Sequence, residues 1–462
     1  MAVRFRQVLL FQVLLLSLLG ASACTNSAGD GAGTSTGGKT AGSSSAAGAS
    51  GSGGKSAGGA TAGTQGGAGA VTGGSGGNGG NGGTANIAGT GGGARAGGAN
   101  GNGGAAAGSG GVTMVAVDAG GLDAAVPPRV DSGVVDPGTA GDGDFIVTNV
   151  TMQPDLTDRG APKGRRFQFM MDSTKSTIFN GSDTTVNPSL RHLTRLVTVY
   201  VPAQYKDGTP APILVMQDGP PSAGGWGDGP PIDAVSRALD NLTISTDPAR
   251  KLPAFIAIGV ENGGSDSKGS ERGLEYDTLS DRYARFVEME VLPAVLNDAA
   301  IKAAYPRIAI TNDPEGRGTY GCSSGAAASF TMAWFRPDLF RRVVTYSGTF
   351  VAQQNAGQPE TPIYPLGAWE YHSSMEIIAN TDPIKPLRVH INANEMDNGY
   401  TAPESGHHNW VIANQRMAAA FKTKGYHYRF NFVMGLGHCD YNAWRATLAD
   451  TLAWVWRGYP TN

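Results

Sequence analysis

The residues able to do chemistry gather in a few short stretches, and Gly321-Cys322-Ser323-Ser324-Gly325 is the first of them. The form G-x-S-x-G suits a serine held on a sharp strand-to-helix turn, with its hydroxyl exposed above the end of a sheet. Small residues are needed on both sides, because the backbone there passes close to its neighbours. Such a hydroxyl attacks a carbonyl only when a base takes its proton. His438, in Gly435-Leu436-Gly437-His438, is the candidate base: it follows Ser323 in the chain and stands between the last strand and the closing helix. A third group must orient the imidazole and stabilise its cation. Asp397, in Asn394-Glu395-Met396-Asp397 after the strand expected at 387–393, is the first choice, and Glu395 is the alternative.

The neighbours of these residues carry a second signal. Only three cysteines occur in the chain; Cys322 directly precedes Ser323 and Cys439 directly follows His438. If the serine and histidine come within hydrogen-bond reach, the two cysteines come within disulfide distance. An oxyanion hole needs two backbone N–H groups. Ser324 supplies one, and Gly219 is the candidate for the other, since Pro220 and Pro221 have no N–H and Ser222 lies behind them. Trp226, His407, His408 and Trp410 fall in loops near the expected mouth and are candidate substrate contacts. Arg272, Glu275 and Tyr276 read as an ion pair and hydrogen bonds holding a loop, with substrate contact as the other reading. No histidine and carboxylate spacing suits zinc, and Asp142 and Asp144 are too few for a calcium loop, so neither metal nor cofactor is expected.

Alternating elements must position these groups. Strands are expected at 196–201, 213–216, 254–260, 343–346, 387–391 and 428–433. The strand feeding Ser323 is either 307–311 or 317–321. Helices are expected from Pro231 to Leu242, from Thr278 or Asp281 through a division at Pro293, after Ser323, over 409–424 up to Gly425, and over 441–457. Strands alternating with helices give an α/β fold: a mostly parallel sheet covered on both faces, with its site at the strands' C-terminal ends.

The N-terminal part is of another kind. Residues 1–23 have a basic start, an apolar run from Val8 to Leu19 and then small residues, which is a secretory signal rather than a membrane span. Its end, Ala21-Ser22-Ala23-Cys24, resembles a bacterial lipoprotein signal, which implies lipidation of Cys24 and, with Thr25 next, sorting to the outer membrane. An exported location would permit a disulfide. Residues 24–142 are Gly, Ala, Ser, Thr and Asn with almost no large apolar side chains, so they are expected to be a disordered tether of mean reach about 60 Å. The folded domain is expected at 143–462. A net charge of −3, without a basic patch, excludes nucleic acid as an expected partner.

The chain order Ser323, Asp397, His438 is that of α/β-hydrolases. Over most of 190–459 the sequence resembles the esterase D and enterochelin-esterase-like group. The matching residues are Tyr200-Val201-Pro202, Asp218-Gly219, Glu271 to Tyr276, Leu292-Pro293, Gly321 to Gly325, Arg336 to Phe340, and Gly437-His438 before Trp444-Arg445. The pattern Cys-Ser, Asp, His-Cys also resembles tannase-like feruloyl esterases. These resemblances imply an α/β-hydrolase fold and a serine ester hydrolase with Ser323, Asp397 and His438 as triad. Ala326 replaces a glycine frequent in the first group, and the cysteine pair is not general there. Siderophore, feruloyl, acetyl and simple acyl esters all remain open as substrates. An acyltransferase, or a non-catalytic surface binding protein on the same fold, are the rival readings.

Overall fold

The structure is a computed structural model that describes residues 133–186, 193–219, 232–264, 270–354 and 364–461. The signal segment, Cys24, residues 25–132 of the expected tether, Ser222 and Trp226 lie outside the described residues.

Eleven strands are described, β1 Gly143–Val147, β2 Arg165–Asp172, β3 Thr194–Val201, β4 Pro210–Ala211, β5 Ile213–Gln217, β6 Ile256–Val260, β7 Ala309–Ile310, β8 Arg317–Cys322, β9 Arg342–Tyr346, β10 Arg388–Met396 and β11 His427–Gly437. Nine form one sheet in the order β1-β11-β10-β9-β8-β5-β6-β3-β2. From β1 to β6 in that order every pairing is parallel; β3 runs antiparallel to β6, and β2 antiparallel to β3. β4 and β7 form a small separate sheet, which removes 307–311 as the strand feeding Ser323. That strand is β8, and its last residue is Cys322.

Both faces of the sheet are buried, and the period of two decides what faces where. Ile213, Val215, Ile256, Ile258 and Val343 join one apolar cluster, whereas Leu214, Met216, Ala257, Val344 and Tyr346 join the other. The first cluster is covered by helices α3 (Ser324–Phe335) and α4 (Trp410–Lys424), the second by α1 (Ile232–Leu242) and α5 (Tyr441–Val455). The short helix α2 (Glu271–Tyr276) packs beside α3. Each fully buried Leu, Ile, Val or Phe contributes about 1.5–3 kcal/mol relative to exposure.

Helix ends follow from local chemistry. The Asn409 side chain accepts a hydrogen bond from the Ile412 N–H at 3.0 Å, and Gly425, with φ of 77°, ends α4. Asp440 caps α5 through the Asn442 N–H at 2.8 Å. Before Pro293 the helix widens into a π-turn over Val287–Val291, which divides the segment into Arg282–Phe286 and Leu292–Asn297.

Residues 133–142 are described and run along the domain: the Val135 N–H donates to the Gly458 carbonyl at 3.2 Å, and Asp142 accepts from Trp454 at 3.1 Å. Backbone and polar contacts hold this stretch, so its lack of large apolar residues gave no sign of it.

Candidate active site

Ser323 sits between β8 and α3 with φ of 58° and ψ of −132°, a left-handed conformation costing roughly 1–3 kcal/mol in a non-glycine residue. The two glycines make the turn sterically feasible. A Cβ on Gly321 would lie 2.2 Å from the Gly325 carbonyl carbon, and one on Gly325 would lie 2.6 Å from Asp218 Oδ2. The serine side chain therefore stands at the C-terminal end of β8 and the N-terminal end of a helix.

The long strands β10 and β11 deliver its partners. β10 has a register irregularity between Asn394 and Met396, just before Asp397. Asp397 is fully buried; its Oδ1 accepts from the Asn398 N–H at 2.9 Å, and its Oδ2 accepts from the Asn394 N–H at 3.3 Å. β11 ends at Gly437, and His438 follows. His438 Nδ1 lies 2.5 Å from Asp397 Oδ1, and Nε2 lies 3.0 Å from Ser323 Oγ. A neutral histidine with Nδ1–H donating to the carboxylate leaves Nε2 free to accept the serine proton.

Cys322 and Cys439 are joined by a disulfide. It ties the nucleophile turn to the loop carrying the histidine, across 117 residues of sequence. The Cys439 N–H also donates to Ser347 Oγ at 3.1 Å, fixing the same loop to the end of β9.

This architecture has a family. The Esterase family matches residues 193–455, more than half of the chain and the whole span from β3 to the last turn of α5. The chain belongs to the Esterase family. Among solved structures, a ferulic acid esterase is 18% identical over 64% of this chain and 100% of its own, with a TM-score of 0.43. A ferulic acid esterase from Anaeromyces mucronatus is 14% identical over 68% of this chain and 99% of its own, at 0.43. The enterobactin esterase of Shigella flexneri is 17% identical over 66% of this chain and 63% of its own, at 0.42. No curated protein matches the sequence.

In the esterase, Glu395 is not beside the histidine. Its carboxylate accepts from the Gly435 N–H at 2.8 Å and clamps the end of β11. Gly219 does not serve as an oxyanion donor either, because its N–H is engaged by the Val260 carbonyl at 2.9 Å. Glycine is required there for another reason: a Cβ would lie 2.6 Å from the Gly259 carbonyl carbon. Ser324 is the first residue of α3, so its N–H has no acceptor within the helix and is placed to meet developing negative charge.

Two of the aromatic candidates have defined partners. His408 is exposed, with Nδ1 2.8 Å from the Gly406 carbonyl. Trp410 is buried, and its indole N–H donates to Thr349 Oγ1 at 3.1 Å. Thr349 Oγ1 in turn lies 3.3 Å from Ser323 Oγ. No motif marks Thr349; its place is set by β9 lying next to β8, which brings the loop after β9 against the nucleophile.

Behind Ser323 lies a buried ionic layer. Arg272 pairs with both carboxylate oxygens of Asp218, at 2.8 and 2.9 Å, and Tyr276 Oη accepts from the Asp218 N–H at 3.1 Å. Arg195 pairs with Glu275 at 2.5 Å. These residues hold the β5 and β6 loops. Burial, with Glu275 alongside, pushes the Glu271 carboxyl up to about 8. A cavity of about 770 Å³ opens among Arg341, Arg342, Arg388 and His427, at the opposite ends of the strands from Ser323, and takes no part in this site. Among the described residues no group of three or more His, Cys, Asp or Glu could hold a metal ion.

Proposed function

We propose that the esterase hydrolyses carboxylic esters through an acyl-enzyme on Ser323. The observation that carries this reading is His438 spanning Ser323 Oγ at 3.0 Å and Asp397 Oδ1 at 2.5 Å, on the family's domain. Ser323 Oγ attacks the ester carbonyl carbon as its proton passes to His438 Nε2. The carbonyl π electrons move to oxygen, where the Ser324 N–H donates to the oxyanion. Collapse breaks the bond to the alcohol oxygen, which takes the proton from His438. Water, deprotonated by the same imidazole, then attacks the acyl-enzyme; the second collapse breaks the bond to Ser323 Oγ, which takes the proton back from His438, and the acid is freed. Asp397 keeps Nδ1 protonated and stabilises the cation throughout. Wild type should carry one fluorophosphonate adduct at Ser323 and hydrolyse p-nitrophenyl acetate, and Ser323→Ala should do neither. A folded wild type that neither labels nor turns over would support the binding-protein reading instead.

The sequence features of residues 1–24 support export and attachment to the outer membrane through lipidated Cys24, with the Gly/Ala/Ser-rich stretch as spacer. Labelled palmitate should enter the wild-type chain and not Cys24→Ala, which should leave the membrane fraction. Equal membrane retention of both would remove the lipid anchor.

A further inference from the structure

We infer that Thr349 and Trp410 extend the Ser323, His438 and Asp397 arrangement into one directed chain of hydrogen bonds, in which Thr349 is a positioning residue donating to the nucleophile oxygen. The inference rests on the reading of Ser323 as nucleophile and adds two residues to it.

The directions follow from donor and acceptor counting. An indole N–H can only donate, so Trp410 Nε1 donates to Thr349 Oγ1 at 3.1 Å. At the other end, ionised Asp397 can only accept, so His438 Nδ1 carries the hydrogen in their 2.5 Å contact. Nε2 of the neutral ring is then an acceptor, and Ser323 Oγ must donate to it at 3.0 Å. The serine's single hydrogen is now used. In its 3.3 Å contact with Thr349, Ser323 Oγ can only accept, and Thr349 Oγ1–H is the donor. Every hydrogen from the indole to the carboxylate has one assignment.

The geometry keeps Thr349 in that role. It is 1% exposed, and its N–H donates to the Ser323 carbonyl at 3.0 Å, so main chain and side chain both lock onto the nucleophile turn. Asn414 Nδ2 donates to the Gly348 carbonyl at 2.8 Å and fixes the loop from α4. Trp410, the first residue of α4, also sets its ring edge-on to His438, with centroids 6.0 Å apart.

Two consequences follow for catalysis. With one lone pair of Ser323 Oγ occupied by Thr349 and its hydrogen directed at Nε2, the remaining lone pair is the one left to attack. As the proton leaves for His438, negative charge builds on Oγ while the new bond to carbon is incomplete, and the Thr349 donor strengthens against it. Thr349 keeps its own proton throughout.

The test reads Ser323 reactivity by the rate of fluorophosphonate labelling and by kcat and KM for p-nitrophenyl acetate, on the full mature chain. Thr349→Val removes the hydroxyl at nearly constant shape and should slow labelling and kcat about tenfold, with KM little changed. Thr349→Ser restores the donor and should recover most of the rate. Trp410→Phe keeps an aromatic side chain but loses the pyrrole ring with its N–H, and should slow labelling about threefold. Labelling of folded Thr349→Val within about twofold of wild type would overturn the inference, as would failure of Thr349→Ser to exceed it. If Thr349→Val does not fold, Trp410→Phe decides: unchanged labelling removes the directed chain. A wild type that does not label at all refutes instead the nucleophile reading on which this rests.

Discussion

At the scale of single residues, the roles of the two neighbouring acids separate by what their oxygens touch. Asp397 is fully buried and bonded to His438 Nδ1, whereas Glu395 bonds the Gly435 N–H on the rim. An asparagine at 397 would present an amide N–H to the imidazole. That favours the tautomer with hydrogen on Nε2, which cannot take the serine proton. Asp397→Asn should therefore lower kcat/KM for aryl esters by about 10⁴-fold with the melting temperature nearly kept. Glu395→Gln keeps an acceptor for the Gly435 N–H and should stay within about threefold of wild type. Comparable losses in both variants would reassign the orienting acid. Sequence alone left the two as first choice and alternative because they are two positions apart at the end of one strand. The register irregularity between Asn394 and Met396, which the letters do not show, decides which one reaches the histidine.

At the scale of elements, the legible parts were those with a periodic or positional signature. The apolar runs of β3, β5, β6 and β9, Gly425 as a helix stop and Pro293 as a helix divider all left marks in the sequence. Edge strands did not: β1 is five residues long, and β2 is apolar on one face only, through Phe167, Phe169 and Met171. Gly219 was misassigned because a glycine that frees an N–H and one that admits a neighbouring strand look alike in sequence. Whether Trp410 points outward or inward is set by where its helix begins, and the helix starts at Trp410 itself.

The same scale exposes a device near the oxyanion position. The Asp218 carboxylate abuts the first turn of α3, so left unpaired it would oppose negative charge developing at the Ser324 N–H. Arg272 pairs with both its oxygens in a fully buried contact. Removing one partner leaves an uncompensated buried charge, so Arg272→Met should destabilise the domain by about 3–5 kcal/mol. Adding Asp218→Asn in the same chain should recover part of that loss. Chemical denaturation of both variants checks it; a double variant no more stable than the single would show that Arg272 acts through packing instead of charge.

At the scale of the whole molecule, the ionic layer links stability to pH. Glu271 is buried and faces Glu275, Arg195, Arg282 and Asp183. Burial comes first among the causes that raise its carboxyl from 4.5 to about 8, so the folded chain holds a proton that the unfolded chain has already released across that range. Stability rises with pH only where the unfolded state binds more protons, and here the folded state binds more. The contribution of Glu271 is therefore fully present below pH 4.5, declines as pH rises, and is lost above about 8. Glu271→Gln keeps the shape and the neutral form at every pH. Relative to that variant, wild-type melting temperature should fall steadily across the window from 4.5 to about 8. A constant offset between the two would mean that Glu271 is already ionised in the fold, held by Arg195 and Arg282 against its burial. The comparison is internal, so titration of other groups, common to both chains, cancels from it.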